Sequence, residues 1–252
     1  GASSALYGAN AFNGIMFMTS KNPFDHQGIS FYAKTGITSS DNAGDNNFVD
    51  AGLRVARAFS DKFAAKASVS FLNGTEWYAT DQTDFANPGQ TRLDPSYDGL
   101  NTYGDEVSTS LDFDEIAAGV LPVPVLTDYG AETISRTGYE ERDLMNYEAE
   151  SLKADFSLHF KPWANDFEII LNSKFGRGNT IYQGANRYAI KDFFMQQHKL
   201  EVRNDNFFAR IYTTAEKSGN SYDTRFTGIN INRAWKDDTQ WFTDYAGGFI
   251  GN

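Results

Sequence analysis

Apolar and polar residues alternate along several stretches of this chain. Between residues 152 and 161, one side carries Leu152, Ala154, Phe156, Leu158 and Phe160, and the other carries Lys153, Asp155, Ser157, His159 and Lys161. Strict alternation over this length predicts a β-strand with one apolar and one polar face. The same pattern predicts six further strands, at residues 29–38, 49–55, 63–71, 167–175, 194–203 and 207–216.

The connections between these predicted strands alternate in length. Residues 59–62, 162–166 and 204–206 form tight links, whereas residues 39–47, the acidic stretch after Trp77 (residues 80–150) and residues 184–192 form long ones. Transmembrane β-barrels have short periplasmic turns at one rim and long extracellular loops at the other. The pattern therefore predicts an all-β fold, a transmembrane antiparallel β-barrel, in which residues 80–150 form an extracellular loop.

Two further expectations follow from this interpretation. The seven strands should pair as nearest neighbours in chain order, with little helix outside the N-terminal segment and the long loop. A secreted β-sandwich that acts as a binding module is the alternative, because its strands alternate in the same way.

Composition agrees with a barrel and excludes several other classes of protein. The mean hydropathy is −0.49 and no run of eighteen apolar residues occurs, which excludes a transmembrane helix. A barrel strand needs an apolar residue only at every second position. The chain has no cysteine, so disulfides and Cys-ligated metal centres are excluded.

The net charge of −11 is concentrated in one segment. Residues 81–150 contain sixteen acidic side chains and three basic ones, which makes this segment −13 and the rest of the chain +2. No basic stripe exists, so nucleic-acid binding is not expected. Asp94, Asp98, Asp112, Asp114 and Glu115 are candidates for contact with a substrate or partner. Calcium binding and a merely solvated acidic surface remain as alternatives.

The polar sides of the strands carry both signs of charge. We predict that ten of these residues face the lumen: Lys34, Arg54, Lys66, Lys153, Asp155, His159, Lys161, Glu168, Lys174 and Arg210. They would either pair with a polar plug or be solvated in a wide pore. The three histidines have no metal-ligand spacing and no catalytic arrangement is visible, so we expect no metal, no cofactor and no enzyme.

The first 21 residues contain a short motif followed by an apolar run. The motif consists of Ser4, Leu6, Tyr7, Gly8 and Gly14. It closely resembles the end of the plug domain in TonB-dependent outer-membrane transporters. Residues 75–81, together with Tyr147, resemble the members of this family found in Bacteroidota.

The resemblance implies a division of the chain and a location for it. Residues 1–24 would be the C-terminal end of a plug, with a plug strand at residues 14–19. Residues 25–252 would be the N-terminal part of a barrel of twenty-two strands, of which about seven lie here. The protein would then be larger than this chain, and it would reside in the lipid bilayer of the bacterial outer membrane.

The resemblance also implies a function and partners. The protein would be a receptor that imports an iron chelate, oligosaccharide, peptide or vitamin, coupled to TonB through a segment that precedes residue 1. A surface lipoprotein lid or other outer-membrane subunits would be further partners. The alternative within the same fold is a non-transporting barrel that acts as a scaffold or assembly partner in a larger complex.

Overall fold

Antiparallel β-sheet dominates the structure, a computed structural model that describes residue 16 and residues 18–120, 129–163 and 166–251. In chain order the elements are β1 (Gly28–Ser40), β2 (Gly44–Ser60), β3 (Phe63–Thr75), β4 (Thr102–Tyr103), β5 (Ser108–Asp112), α1 (Phe113–Val120), β6 (Ala131–Ser135), β7 (Tyr139–Glu140), α2 (Glu141–Leu144), β8 (Glu148–Phe160), β9 (Glu168–Gln183), β10 (Arg187–Arg203), β11 (Phe208–Lys217), β12 (Tyr222–Asp223), α3 (Thr224–Trp235) and α4 (Asp238–Ile250). Strands account for 53% of the residues and helices for 16%.

Seven long strands form one sheet in the order β1-β2-β3-β8-β9-β10-β11, and every pair in it is antiparallel. This confirms the predicted pairing of nearest neighbours. The short strand β12 adds to one end of β10 through Tyr188, Ala189 and their partners Asp223 and Tyr222. Strands β1 and β11 are the two edges, so the sheet is open over the described residues.

Two of the three long connections predicted from the sequence are wrong. Strand β1 continues to Ser40 and strand β2 already begins at Gly44, so only residues 41–43 lie between them. Strands β9 and β10 also extend toward each other and leave only residues 184–186. A register shift between Ile190 and Phe193 breaks the alternation of β10, and for this reason the pattern failed to extend this strand.

The pairing register separates the sheet into an apolar and a polar face. Residues that pair across an antiparallel ladder lie on the same face. In β8, Phe156 and Leu158 are 51% and 47% exposed, whereas Ser157 and His159 are 2% and 4% exposed. The alternating residues of this strand therefore lie on opposite faces, and the polar side is the covered one.

The acidic segment is not a simple loop. It contains two small ladders, β4 with β7 and β5 with β6, as well as the helices α1 and α2. Its apolar residues pack with the last helix in a core of Phe113, Ile134, Phe242 and Ala246. We call the described parts of residues 78–147 and 222–250 the accessory unit.

The expectation of little helix outside the long loop is wrong for the C-terminal part of the chain. Helix α3 begins after Asp223, whose carboxylate accepts a hydrogen bond from the Phe226 backbone N–H. Asp237 caps α4 in the same way through Gln240. Such capping satisfies backbone donors that a helix start leaves unpaired. Among the described residues, no helix has the length and apolarity needed to cross a membrane.

The predicted plug strand is not present in the part of residues 14–19 that the structure describes. Met16, Met18 and Thr19 belong to no strand. The motif residues Ser4, Leu6, Tyr7, Gly8 and Gly14 lie outside the described residues.

A buried arginine joins the two halves of the accessory unit. Arg136 follows β6 and is 2% exposed. Its Nη1 donates to Asp238 at 2.6 Å and to the Lys236 carbonyl at 2.9 Å, and its Nη2 donates to the Asn232 carbonyl at 3.1 Å. The acidic segment is thus hydrogen-bonded to the junction of α3 and α4, about one hundred residues away in sequence.

We expect Arg136→Ala to destabilise the accessory unit by about 3 kcal/mol, because it removes the buried partner of the Asp238 carboxylate and the donor to the Lys236 carbonyl. Arg233→Ala is the matched control. Arg233 also pairs with Asp238, at 2.8 Å, but its side chain is 50% exposed, so its loss should cost less than about 1 kcal/mol. Hydrogen exchange of residues 224–250 measures both effects. Equal opening free energies in the two variants would contradict the assigned role of Arg136.

Candidate functional site

The polar face of the sheet brings most of the predicted lumen residues together. The register places Lys34, Arg54, Lys66, Lys153, Asp155, His159, Glu168, Lys174 and Arg210 on one face. Lys161 lies directly after β8, and its ammonium is 4.6 Å from the centre of the Phe24 ring. A cavity of about 800 Å³ lies along this face, lined by Arg54, Lys153, Asp155 and Lys174 among others.

Glu168 is the centre of a buried network at the start of β9. The residue is 3% exposed. One carboxylate oxygen is 2.7 Å from Nδ1 of His159, and the other accepts hydrogen bonds from Nη2 and Nε of Arg203 at 2.6 and 2.9 Å. His159 is held in turn by Ser157, whose hydroxyl is 2.8 Å from Nε2. The buried carboxylate is therefore compensated by partners from two neighbouring strands, β8 and β10.

Residues 18–27, which we call the docked segment, lie against this network. Asn22 donates to both carboxylate oxygens of Glu168, at 2.9 and 3.2 Å. Lys66 donates to the Ser20 hydroxyl at 2.6 Å and to the Lys21 carbonyl at 2.7 Å. The next residue after Asn22, Pro23, is fully buried. The chain therefore reaches β1 along the polar face of the sheet.

Sequence reasoning did not identify Asn22 or Ser20 as part of this site. Both contacts join residues far apart in sequence, 146 positions for Asn22 and Glu168 and 46 for Ser20 and Lys66. The only local signal is the Asn-Pro dipeptide, which indicates a turn but no partner.

A second buried network ties the accessory unit to the end of the sheet. Glu141, in α2, is 1% exposed and lies 2.5 Å from Nε of Arg187 at the start of β10. It also accepts hydrogen bonds from the hydroxyls of Tyr103 and Tyr147 at 3.0 and 2.9 Å. Burial, followed by the charge of Glu141, raises the pKa of both tyrosines. Both phenols therefore stay protonated and act as donors to the carboxylate.

Three of the five candidate acidic residues accept hydrogen bonds from nearby backbone N–H groups. Asp94 accepts from the Thr91 backbone N–H, Asp112 from that of Glu115, and Asp114 from those of Tyr129 and Gly130. Asp98 instead lines a cavity between the accessory unit and the sheet. In the described part of the chain, no group of three or more His, Cys, Asp or Glu residues is arranged to hold a metal ion.

Asp105 is the most perturbed carboxylate in this region. The side chain is almost fully buried. One of its oxygens accepts a hydrogen bond from the Gly99 backbone N–H at 3.1 Å, and the other has no donor in the described part of the chain. Burial raises the pKa of Asp105 to about 7. The neighbouring Glu106 also has a raised pKa, again mainly because of burial. This part of the accessory unit therefore takes up protons more readily than ordinary carboxylates do.

Comparisons of the chain with protein-family models, with curated proteins and with solved structures give no match. A functional interpretation therefore depends on the geometry described above and on the resemblance of the N-terminal motif.

We expect Glu168→Ala to release the docked segment, because it removes the acceptor of Asn22 and the nearest ion-pair partner of Arg203. The chain has no cysteine, so a single Pro23→Cys substitution provides a specific thiol at a buried position. This thiol should react with a water-soluble maleimide at least about tenfold faster in the Glu168→Ala background. The factor corresponds to the free energy of one lost hydrogen bond to a charged group. Glu216→Ala, on exposed β11, is the control. A rate that Glu168→Ala leaves unchanged would show that other contacts hold the segment.

Proposed function

We propose that this chain forms part of the wall of a bacterial outer-membrane β-barrel that imports a scarce nutrient with energy supplied through TonB. The observation that carries the proposal is the apolar face of the sheet. Over residues 29–37, 49–55, 63–71 and 152–160, the side chains on this face are uncharged and contain no amide. A contiguous exposed apolar surface marks a site of contact with a protein partner or a membrane.

The exposure of this face favours lipid as its surroundings. Phe156, Leu158 and Leu171 are 51%, 47% and 51% exposed, although they lie in the inner strands β8 and β9 of the seven-stranded sheet. A β-sandwich would cover such residues with a second sheet. The opposite face carries the ion pairs, which suits the interior of a barrel.

Closure of the sheet is a requirement of the proposal. An open edge leaves backbone N–H and C=O groups without partners, which is not viable in hydrocarbon. Further strands must therefore connect the edges β1 and β11 around the barrel.

The docked segment supports the assignment of a plug. The chain that precedes β1 lies on the polar face, where it meets Lys66 and Glu168. In the proposed barrel this face is the lumen, so residues 1–24 would continue into the lumen. The position fits the resemblance of the N-terminal motif to the end of a plug domain.

The accessory unit is the proposed contact region for substrate and for a surface lipoprotein or another outer-membrane subunit. It joins the end of the sheet opposite to the turn between β2 and β3 at residues 61–62. It also holds the acidic excess of the chain. Iron chelates, oligosaccharides, peptides and vitamins are the substrate classes that the resemblance implies.

The two faces of β8 should respond differently to substitution. Phe156→Lys places a charge in the apolar face, which costs about 2–4 kcal/mol near the middle of a bilayer. Lys153→Ala, three residues away on the polar face, should leave folding unchanged. We expect the full-length Phe156→Lys protein to be depleted from the outer-membrane fraction, and the Lys153→Ala protein to reach wild-type levels. Equal levels of the two variants would contradict the assignment of the lipid face.

Energy coupling is tested by uptake into cells that express the full-length protein. One labelled compound among ferric citrate, a maltooligosaccharide, a tripeptide and cyanocobalamin should enter these cells, and deletion of TonB should abolish this uptake without lowering the amount of assembled barrel. If the barrel assembles and none of the four compounds enters in a TonB-dependent manner, the transport function is wrong and a scaffold function replaces it.

A further inference from the structure

A second cavity, of about 530 Å³, lies between the accessory unit and the end of the sheet. Its wall includes Trp77, which follows β3, Arg187 of β10, and Asp98 and Phe85 of the acidic segment. The volume is in the range of sites that bind small molecules or short peptide segments. The proposed transport function uses the acidic segment only in general terms and assigns nothing to this cavity.

Arg187 is a buried cation with an unsatisfied donor. The side chain is 1% exposed. Its Nη2 donates to the Trp77 carbonyl at 2.8 Å, and Nε lies 2.5 Å from Glu141. Its Nη1 is buried and has no hydrogen-bond partner among the described residues. An unpaired buried donor is costly, and an oxygen acceptor on a ligand would remove this cost.

Asp98 is a hydrogen-bond acceptor in the same cavity, and it requires a donor from the ligand. Its carboxylate is partly buried and accepts no hydrogen bond from the described residues. Burial, together with the nearby charge of Asp84, raises the pKa of Asp98, and Arg225 acts against this shift. A positively charged donor would therefore be stabilised here by both a hydrogen bond and charge.

Exposed aromatic rings flank these two groups. Phe85 is 76% exposed and Trp77 is 58% exposed, and the guanidinium carbon of Arg187 lies 3.9 Å from the centre of the Trp77 ring. Aromatic faces attract cations. The acidic segment around the cavity carries a charge of −13, which raises the local concentration of cations and opposes the approach of anions.

We propose that this cavity binds a basic peptide, with an ammonium or guanidinium group of the peptide at Asp98 and a peptide carbonyl at Arg187. The proposal rests on the proposed function in one respect: it names the substrate class of that importer. A simple polyamine lacks the carbonyl that Arg187 requires, and a neutral sugar lacks the charge that Asp98 and the surrounding field select.

The experiment is calorimetric titration of the purified full-length protein in detergent with C-terminally amidated Gly-Arg-Gly. Spermidine and maltotriose serve as comparison probes. The tripeptide should bind more tightly than either, and Asp98→Asn should weaken this binding by about tenfold through the loss of a charge-assisted hydrogen bond. Phe85→Ala should weaken it by a smaller factor. Asp143→Asn, at an exposed acidic residue of α2, should leave it unchanged.

Several results would overturn the proposal. Absence of tripeptide binding, or equal binding by wild type and Asp98→Asn, removes the role of Asp98. If spermidine binds as tightly as the tripeptide, Arg187 does not recognise a peptide carbonyl. If maltotriose binds more tightly than the tripeptide, the ligand is a sugar and not a peptide. If the protein assembles and transports but does not bind the tripeptide, the peptide site is wrong and the import function stands. If the protein binds the tripeptide specifically but never enters the outer membrane, the import function is wrong and the peptide site stands.

Discussion

The backbone ladder of the seven long strands is the constraint on which the rest of the structure depends. Each residue of the ladder shares a face with its partner on the next strand, so a slip by one position would invert every side chain of that strand. The observed register aligns Lys66 with Ser157 and Asp155 with Lys174 on one face. It aligns Val69 with Ala154 on the other. One arrangement of hydrogen bonds therefore creates both the apolar surface and the ionic one.

The polar face is more than a solvated surface, because part of the chain covers it. Buried charges are tolerated only when their partners are close and well aligned. Glu168 meets this condition through His159, Arg203 and Asn22, which come from two strands and the docked segment. Docking of residues 18–27 and burial of Glu168 thus stabilise each other. The proposal that this face lines a barrel interior therefore rests on the docked segment as well as on the charges of the face.

The accessory unit shows the same principle at the end of the sheet. Arg136 and Glu141 are almost completely buried, and each is surrounded by groups from distant parts of the chain. Together they connect the acidic segment, the C-terminal helices and β10. The strongly acidic segment folds because many of its carboxylates accept backbone or tyrosine hydrogen bonds, so that the like charges do not face one another unscreened. Asp98 and Arg187 are left incompletely paired among the described residues, and both line the same cavity.

The local pattern of residues determined the seven strands, their antiparallel order and the separation of their faces, because a period of two is a property of each strand by itself. It missed the extension of β10, where the bulge before Phe193 interrupts the period. Helix α3 could not be predicted either, because it contains Gly228, and glycine disfavours a helix locally. Glycine is required there because the helix passes close to the backbone of Tyr103, more than one hundred residues earlier. The contact of Asn22 with Glu168 and the meeting of Arg187 with Asp98 around one cavity depend on the same kind of distant neighbour. Only the tertiary structure brings such residues together, because no local periodicity records which polar group will be buried against which.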